Sequence, residues 1–233
     1  MEQLLDLFDF GPFFDNFDAI LQGFWAMLRL AAAAGVLSLV IGTVLAGFRV
    51  APIPVLRWFG SGYVNIVRNT PLTLVLLMCS LGLNDTLGLA FSGEPSTTYY
   101  WWAVLGLSGY TGAFVCEALR SGINTVPLGQ AEAARSIGLT FTQSLRLIIL
   151  PQAFRAVVAP LGSVLIAMIK NTTVASAASY GEIAAVSKGL LDLPSFASGA
   201  VPLFIGVAIG FMILTLPTGF FFGWLAKRTA VAR

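Results

Sequence analysis

Five apolar runs constrain this chain more than any other feature. Each matches or exceeds the roughly 20 residues of helix needed to cross a hydrocarbon core. They fall at about 20–48, 57–82, 99–120, 152–176 and 200–225. Every backbone N–H and C=O inside lipid must be satisfied within the protein, and runs of this length satisfy them as helices. With 57% hydrophobic and 10% charged residues, the 233-residue chain is excluded from the soluble globular class. The expectation is an all-α integral membrane protein, residues 1–233 forming one five-span transmembrane domain embedded in a lipid bilayer.

The charges orient it. Basic residues resist translocation and collect in short cytoplasmic connections. Arg49 and Arg57 flank the first connection, Arg120, Arg135 and Arg146 lie in or beside the third, and Lys227, Arg228 and Arg233 follow the last run. The opening segment carries Glu2, Asp6, Asp9, Asp15 and Asp18 with no Lys or Arg, and the segment from Asp85 to Glu94 is also free of basic residues. The fourth connection is mixed, with Lys188 against Glu182 and Asp192. This distribution predicts the N-terminus outside and the C-terminus inside. An acidic opening lacks the basic region of a secretory signal, so no cleavage is expected. Tyr99, Tyr100, Trp101 and Trp102 suit an outer interface.

Other chemistries find little here. A net charge of +2 gives no basic surface for nucleic acid. Cys79 and Cys116 lie in apolar surroundings without a metal-ligand spacing, and the chain has no histidine, so no metal site is expected and both read as packing residues. There is no G-x-x-x-x-G-K-[ST] loop, so any ATP hydrolysis belongs to another polypeptide.

The segment Pro127 to Pro151 leaves membrane composition without becoming a flexible linker. Gln130 to Ile137 holds strong helix formers. Pro127 is placed near a helix start, and Gly138 is placed to end it in a left-handed cap. A second short helix is expected to follow and stop at Leu150-Pro151. A short helix across a cytoplasmic face suits a groove on a partner. Glu132-Ala133-Ala134, Gly138, Ile148 and Leu150-Pro151, at their spacing, resemble the coupling-loop signature of permease subunits of ATP-binding-cassette importers. The resemblance implies that Glu132 and Arg135 contact the ATPase. It also implies that Ala133 and Ala134 let the helix lie close, and that Gly138 supplies the turn.

Three further stretches narrow the resemblance. Tyr63 to Leu72, Glu117 to Ile123 and Lys170 to Thr173 resemble permeases for polar amino acids, most similarly the glutamate-uptake permeases of actinobacteria. The likeness covers nearly the whole chain. It implies the five-span fold of type I importer permeases and a bacterial plasma (inner) membrane location. The implied partners are an ATP-binding-cassette ATPase dimer, a second permease subunit making a homo- or heterodimer, and an extracellular solute-binding protein. This chain would hold no cofactor; ATP and Mg would sit on the ATPase.

Two cations inside the apolar runs point to the cargo. Arg68 lies about ten residues into its run, roughly 15 Å along a straight helix. Lys170 lies in the fourth run. Each begins a similar triplet, Arg68-Asn69-Thr70 and Lys170-Asn171-Thr172, the second followed by Thr173. Cations in a membrane are costly unless paired or facing an aqueous cavity. One reading is a site of cations, amides and hydroxyls that holds an amino-acid carboxylate, with Pro71 loosening the helix. The alternative is that Arg68 and Lys170 pair with protein groups and hold the helices together. Many relatives carry Gly at the position of Asn69 and Asp at that of Asn171, and the missing carboxylate at Asn171 favours glutamate or another acidic amino acid. The chain's only acid well inside a run is Glu117, expected to pair locally with Arg120. Of the competing functions, an ion-coupled secondary transporter predicts acids or histidines in the spans, which are almost lacking. A non-transporting scaffold gives Arg68 and Lys170 no role.

Overall fold

The computed structural model describes residues 8–196 and 200–229. Glu2, Asp6 and Arg233, used above for orientation and cleavage, lie outside the described residues. Among the described residues all regular structure is helical. In chain order the α-helices are α1 (Gly11–Asp15), α2 (Phe17–Val50), α3 (Pro54–Arg68), α4 (Leu72–Leu77), α5 (Pro95–Ile123), α6 (Leu128–Ser136), α7 (Phe141–Ser144), α8 (Leu150–Asn171), α9 (Ile183–Leu191) and α10 (Val201–Thr229). π-helical turns occupy Met78–Thr86 and Leu145–Ile149, and 3-10 turns occupy Thr172–Ala178 and Pro194–Phe196.

Four helical stretches are long and apolar enough to cross a membrane: Phe17–Val50, Pro95–Ile123, Phe141–Ala178 and Val201–Thr229. The fifth candidate is a bent pair of helices. The run expected at 57–82 consists of Pro54–Arg68 and Leu72–Thr86, bent by 104° at the break between them. Pro71 has no N–H to continue the ladder, and its ring disfavours helical backbone at Thr70. Pro71 itself is extended, with ψ 136°, and starts α4 afresh. The depth assigned to Arg68 by counting along one straight helix is therefore corrected: Arg68 is the last residue of α3. The expected stop at Leu150-Pro151 is also corrected, because helix runs on from Phe141 to Ala178. Pro151 falls in the first turn of α8, where its missing N–H is cheap, and the π turn before it opens the ladder ahead of its ring.

The chain divides into two compact units, described separately. Unit 1 takes the described residues of Met1–Val36, Pro71–Ser108 and Met168–Leu216. Its core gathers Ile20, Met27, Ile183, Leu190, Phe196 and Leu203 from α2, α9, the second 3-10 turn and α10. Between helices in lipid, packing supplies the attraction, and small residues let backbones approach. At Gly23 an added Cβ would stand 3.0 Å from the Ile183 Cα, so glycine allows α9 to lie against α2. The α4 helix packs on Thr172–Ala178.

Unit 2 takes the described residues of Leu37–Thr70, Gly109–Ala167 and Pro217–Arg233. Leu45 and Ala46 of α2, Val64 of α3, and Ala113 and Cys116 of α5 form its core. Cys116 is thus a packing residue. At Gly112 an added Cβ would stand 2.8 Å from Ile41 Cγ2, so α2 and α5 meet where glycine leaves room. Helix α3 buries Gly60 and Val64; Val55, Trp58 and Ile66, turned away from them, are exposed apolar side chains, whereas Arg57 and Arg68 lie on the same side of the helix as the buried pair.

Candidate functional site

The two triplets belong to different units, and in each a threonine hydroxyl bonds back to the preceding helix. At the end of α3, the Asn69 side-chain amide donates to the Asn65 carbonyl at 2.7 Å and the Thr70 hydroxyl donates to the Ile66 carbonyl at 2.9 Å. At the end of α8, the Thr172 hydroxyl donates to the Ile169 carbonyl at 2.7 Å and Thr173 donates to the Lys170 carbonyl at 2.9 Å. These bonds satisfy carbonyls that helix ends otherwise leave open. Thr172 is wholly buried, Asn171 half-buried and Lys170 exposed. Among the described residues Lys170 has no ion-pair partner. Arg68 to Thr70 fall in unit 2 and Lys170 to Thr173 in unit 1. Within unit 1, α4, which starts just past the first triplet and Pro71, and the 3-10 turn Thr172–Ala178, which starts at the last residue of the second, do come together.

Arg68 has an acid beside it. The Glu117 carboxylate in α5 receives Arg49 and Arg68 through Oε1, Arg68 Nη1 standing at 3.7 Å, and Arg120 Nη2 through Oε2 at 2.9 Å. The Arg68 guanidinium also lies 5.6 Å from the centroid of the Phe114 ring. The local pair with Arg120 is present, and the structure adds two arginines 68 and 49 positions away in the sequence. Pairing of Arg68 with a protein group, the alternative to cargo contact, is thus partly realised. The pair is long, and 42% of the Arg68 side chain stays exposed.

The connection from α5 to α8 is folded, and it lies in unit 2. Pro127 starts α6, and the chain leaves it through Gly138 at φ +86°, the left-handed value that glycine adopts without strain. Thr140 and Gln143 then cap α7 reciprocally. A hydrogen bond from Gln152 Nε2 to Gln130 Oε1, at 2.5 Å, ties α6 to α8. Glu132, Ala133 and Arg135 are exposed, while Ala134 is 2% exposed and packs inward. Leu128 and Ile137 are large apolar side chains left open on the same helix and its cap, and Leu150 and Pro151 are exposed at the start of α8. A cavity of about 310 Å³ beside α6 is lined by Ile123, Val126, Pro127, Leu128, Ala131 and Ile149, among others. This is a short helix, tied to α8 by one side-chain hydrogen bond, with small Ala134 inward and Glu132 and Arg135 outward.

One residue with a distinct environment was not singled out from the sequence. Glu182 is wholly buried in unit 1, where its carboxylate accepts from the N–H groups of Ala184 at 3.0 Å and Ala185 at 3.3 Å and so caps α9. Burial pushes its carboxyl up to about 7, against the two N–H groups, which favour the charged form. The position before the run Ile183-Ala184-Ala185-Val186 was the available sign, since an acceptor side chain before an apolar helical run is a cap signal.

Residues 20–231 match the family described as binding-protein-dependent transport system inner membrane component. The chain is similar to the glutamate transport system permease protein GluC of Corynebacterium efficiens, 46% identical over 230 residues that cover 97% of each chain. The same identity and coverage hold for GluC of Corynebacterium glutamicum. Among solved structures it is similar to the crystal structure of an amino acid ABC transporter with histidines, at 25% identity and a TM-score of 0.82, over 94% of this chain and 98% of that one.

Proposed function

The chain belongs to the family of binding-protein-dependent transport system inner membrane components, and from that premise we propose that it is the permease subunit of an ATP-binding-cassette importer for glutamate or another acidic amino acid. The observation that carries this reading is the 46% identity to GluC along 97% of both chains. The cargo crosses by alternating access. A separate ATPase dimer, holding ATP and Mg, supplies the energy. A second permease subunit completes the pore, and an external solute-binding protein delivers the amino acid.

The two parts of the chain have separate roles on this reading. Helix α6 lies on the cytoplasmic side and docks into the ATPase through Glu132 and Arg135. Ala133 and Ala134 keep its profile low, and Gly138 and Leu150-Pro151 fix its exit into α8. A short helix bonded to a span, as Gln130 is to Gln152, moves that span when the ATPase closes. Arg68 meets a cargo carboxylate in one unit, beside Asn69 and Thr70. Lys170, with Asn171, Thr172 and Thr173, offers the corresponding polar helix end in the other.

The test is uptake of radiolabelled glutamate in proteoliposomes containing this chain, its partner permease, the ATPase and the binding protein. Accumulation is expected only with ATP inside and with all components present. Accumulation without ATP or without the ATPase would place the chain among secondary transporters.

A further inference from the structure

Within unit 2, Glu117 stands at the centre of an unbalanced ionic cluster. One carboxylate faces three guanidinium groups, so two positive charges lack a counter-charge among the described residues. Like charges this close repel, and solvent at the two more open guanidinium groups, Arg68 and Arg120, screens that repulsion only in part. Each guanidinium carries five N–H donors, and one carboxylate occupies few of them. Arg120 Nε is buried with no hydrogen-bond partner. The cluster has both charge and donors for a second carboxylate.

The three cations are held differently. Arg49 is the most enclosed, its side chain 14% exposed. Arg120 sits one turn along the same helix as Glu117 and makes the 2.9 Å contact. Arg68 is the farthest, at 3.7 Å, and the most open. The Phe114 ring supports its guanidinium without neutralising it. Of the three, Arg68 gives up the least when it turns to another anion.

Resting on the reading of Arg68 as a cargo contact, we infer that Glu117 is a positioning residue that holds Arg68 in the place of the cargo, and that an acidic amino acid loads by exchanging its carboxylate for that of Glu117. Arg49 and Arg120 keep Glu117 in place during the exchange. On release, Glu117 reclaims Arg68, so the departing cargo does not leave its guanidinium without an ionic partner. No proton or covalent bond changes hands. The cluster takes a carboxylate-bearing anion, and Glu117 sets how tightly it is held.

Two measurements test this on the assembled permease–ATPase complex: binding of radiolabelled glutamate in nanodiscs without the binding protein, and uptake in proteoliposomes. Glu117→Gln removes the resident competitor. The Kd for glutamate is expected to fall roughly two- to fivefold, the change carried by an ion pair that solvent can reach. Maximal uptake is expected to fall as well, because Arg68 is not reclaimed. Three unpaired guanidinium groups threaten assembly, so a second variant, Glu117→Gln with Arg120→Gln, keeps the cluster's net charge unchanged. The same tightening there separates exchange from a stronger field. Glu117→Asp is expected to bring Kd and uptake back toward the unaltered chain, which a loss of packing would not do. Unchanged or weaker binding in the assembled double variant, with none in Arg68→Gln, overturns the exchange and leaves Arg68 a cargo contact. Full binding by Arg68→Gln overturns the cargo contact itself.

Discussion

A carboxylate with no solvent exposure caps α9, and Glu182 pays for that position in its protonation. Its folded value of about 7 lies above the ordinary 4.5. Between those two values the folded chain holds a proton that the unfolded chain has released, so unfolding free energy falls as pH rises through the window. The full span is worth on the order of 3 kcal/mol, taking ~1.4 kcal/mol for each pH unit. Thermal unfolding of the detergent-solubilised complex is therefore expected to shift downward from pH 5 to pH 8. Glu182→Gln, which keeps an acceptor for the helix N–H groups and cannot ionise, should flatten that slope. An equal slope in the variant would move the titration to another group. Glu182 and Glu117 show what single residues conceal in a sequence. Both were legible as acids. The cap at Glu182 had a local sign, but its complete burial and the two distant arginines at Glu117 depend on which helices meet, and no local pattern carries that information.

Helices were read most securely where composition alone sets them. The four long stretches each contain a long apolar window, and length and hydropathy suffice to identify them. The second run was harder, because hydropathy averages over a window and registers no direction. Asn69-Thr70-Pro71 was visible as a weak point, but a loosened helix and a 104° bend look the same in a sequence. In the connection the turn was legible, since Gly138 has one main conformational use beyond a helix end and the structure shows it at φ +86°, whereas the stop read at Leu150-Pro151 is passed by continuous helix. Helix α6 also carries the next prediction. Glu132 is exposed, so Glu132→Arg should leave folding within about 0.5 kcal/mol of the unaltered chain. It should nonetheless reduce recovery of the ATPase with the permease on affinity purification, because it puts a second cation beside Arg135. Undiminished recovery would remove Glu132 from the docking surface.

For the whole molecule, the distribution of Lys and Arg expects the connection after α5 on one side of the membrane and the segment before it on the other. A membrane-impermeant maleimide can test this on a chain in which Cys79 and Cys116 are replaced by alanine. A cysteine at Ser92 should be labelled from outside intact cells, and one at Ser136 only after the membrane is opened. Labelling of both from outside would reverse or break the proposed orientation. The family and the helical class were readable throughout, because both rest on composition and on motifs spread along the chain. A threonine hydroxyl, finally, has a single hydrogen. At Thr70 of the first triplet, and at Thr173 just after the second, that hydrogen is committed to a carbonyl of the preceding helix, which leaves lone pairs alone to offer. Arg68 and Lys170 therefore each have, within three residues of sequence, a threonine oxygen that can only accept. That is the inverse of an amino acid's own zwitterion, with its carboxylate beside its ammonium.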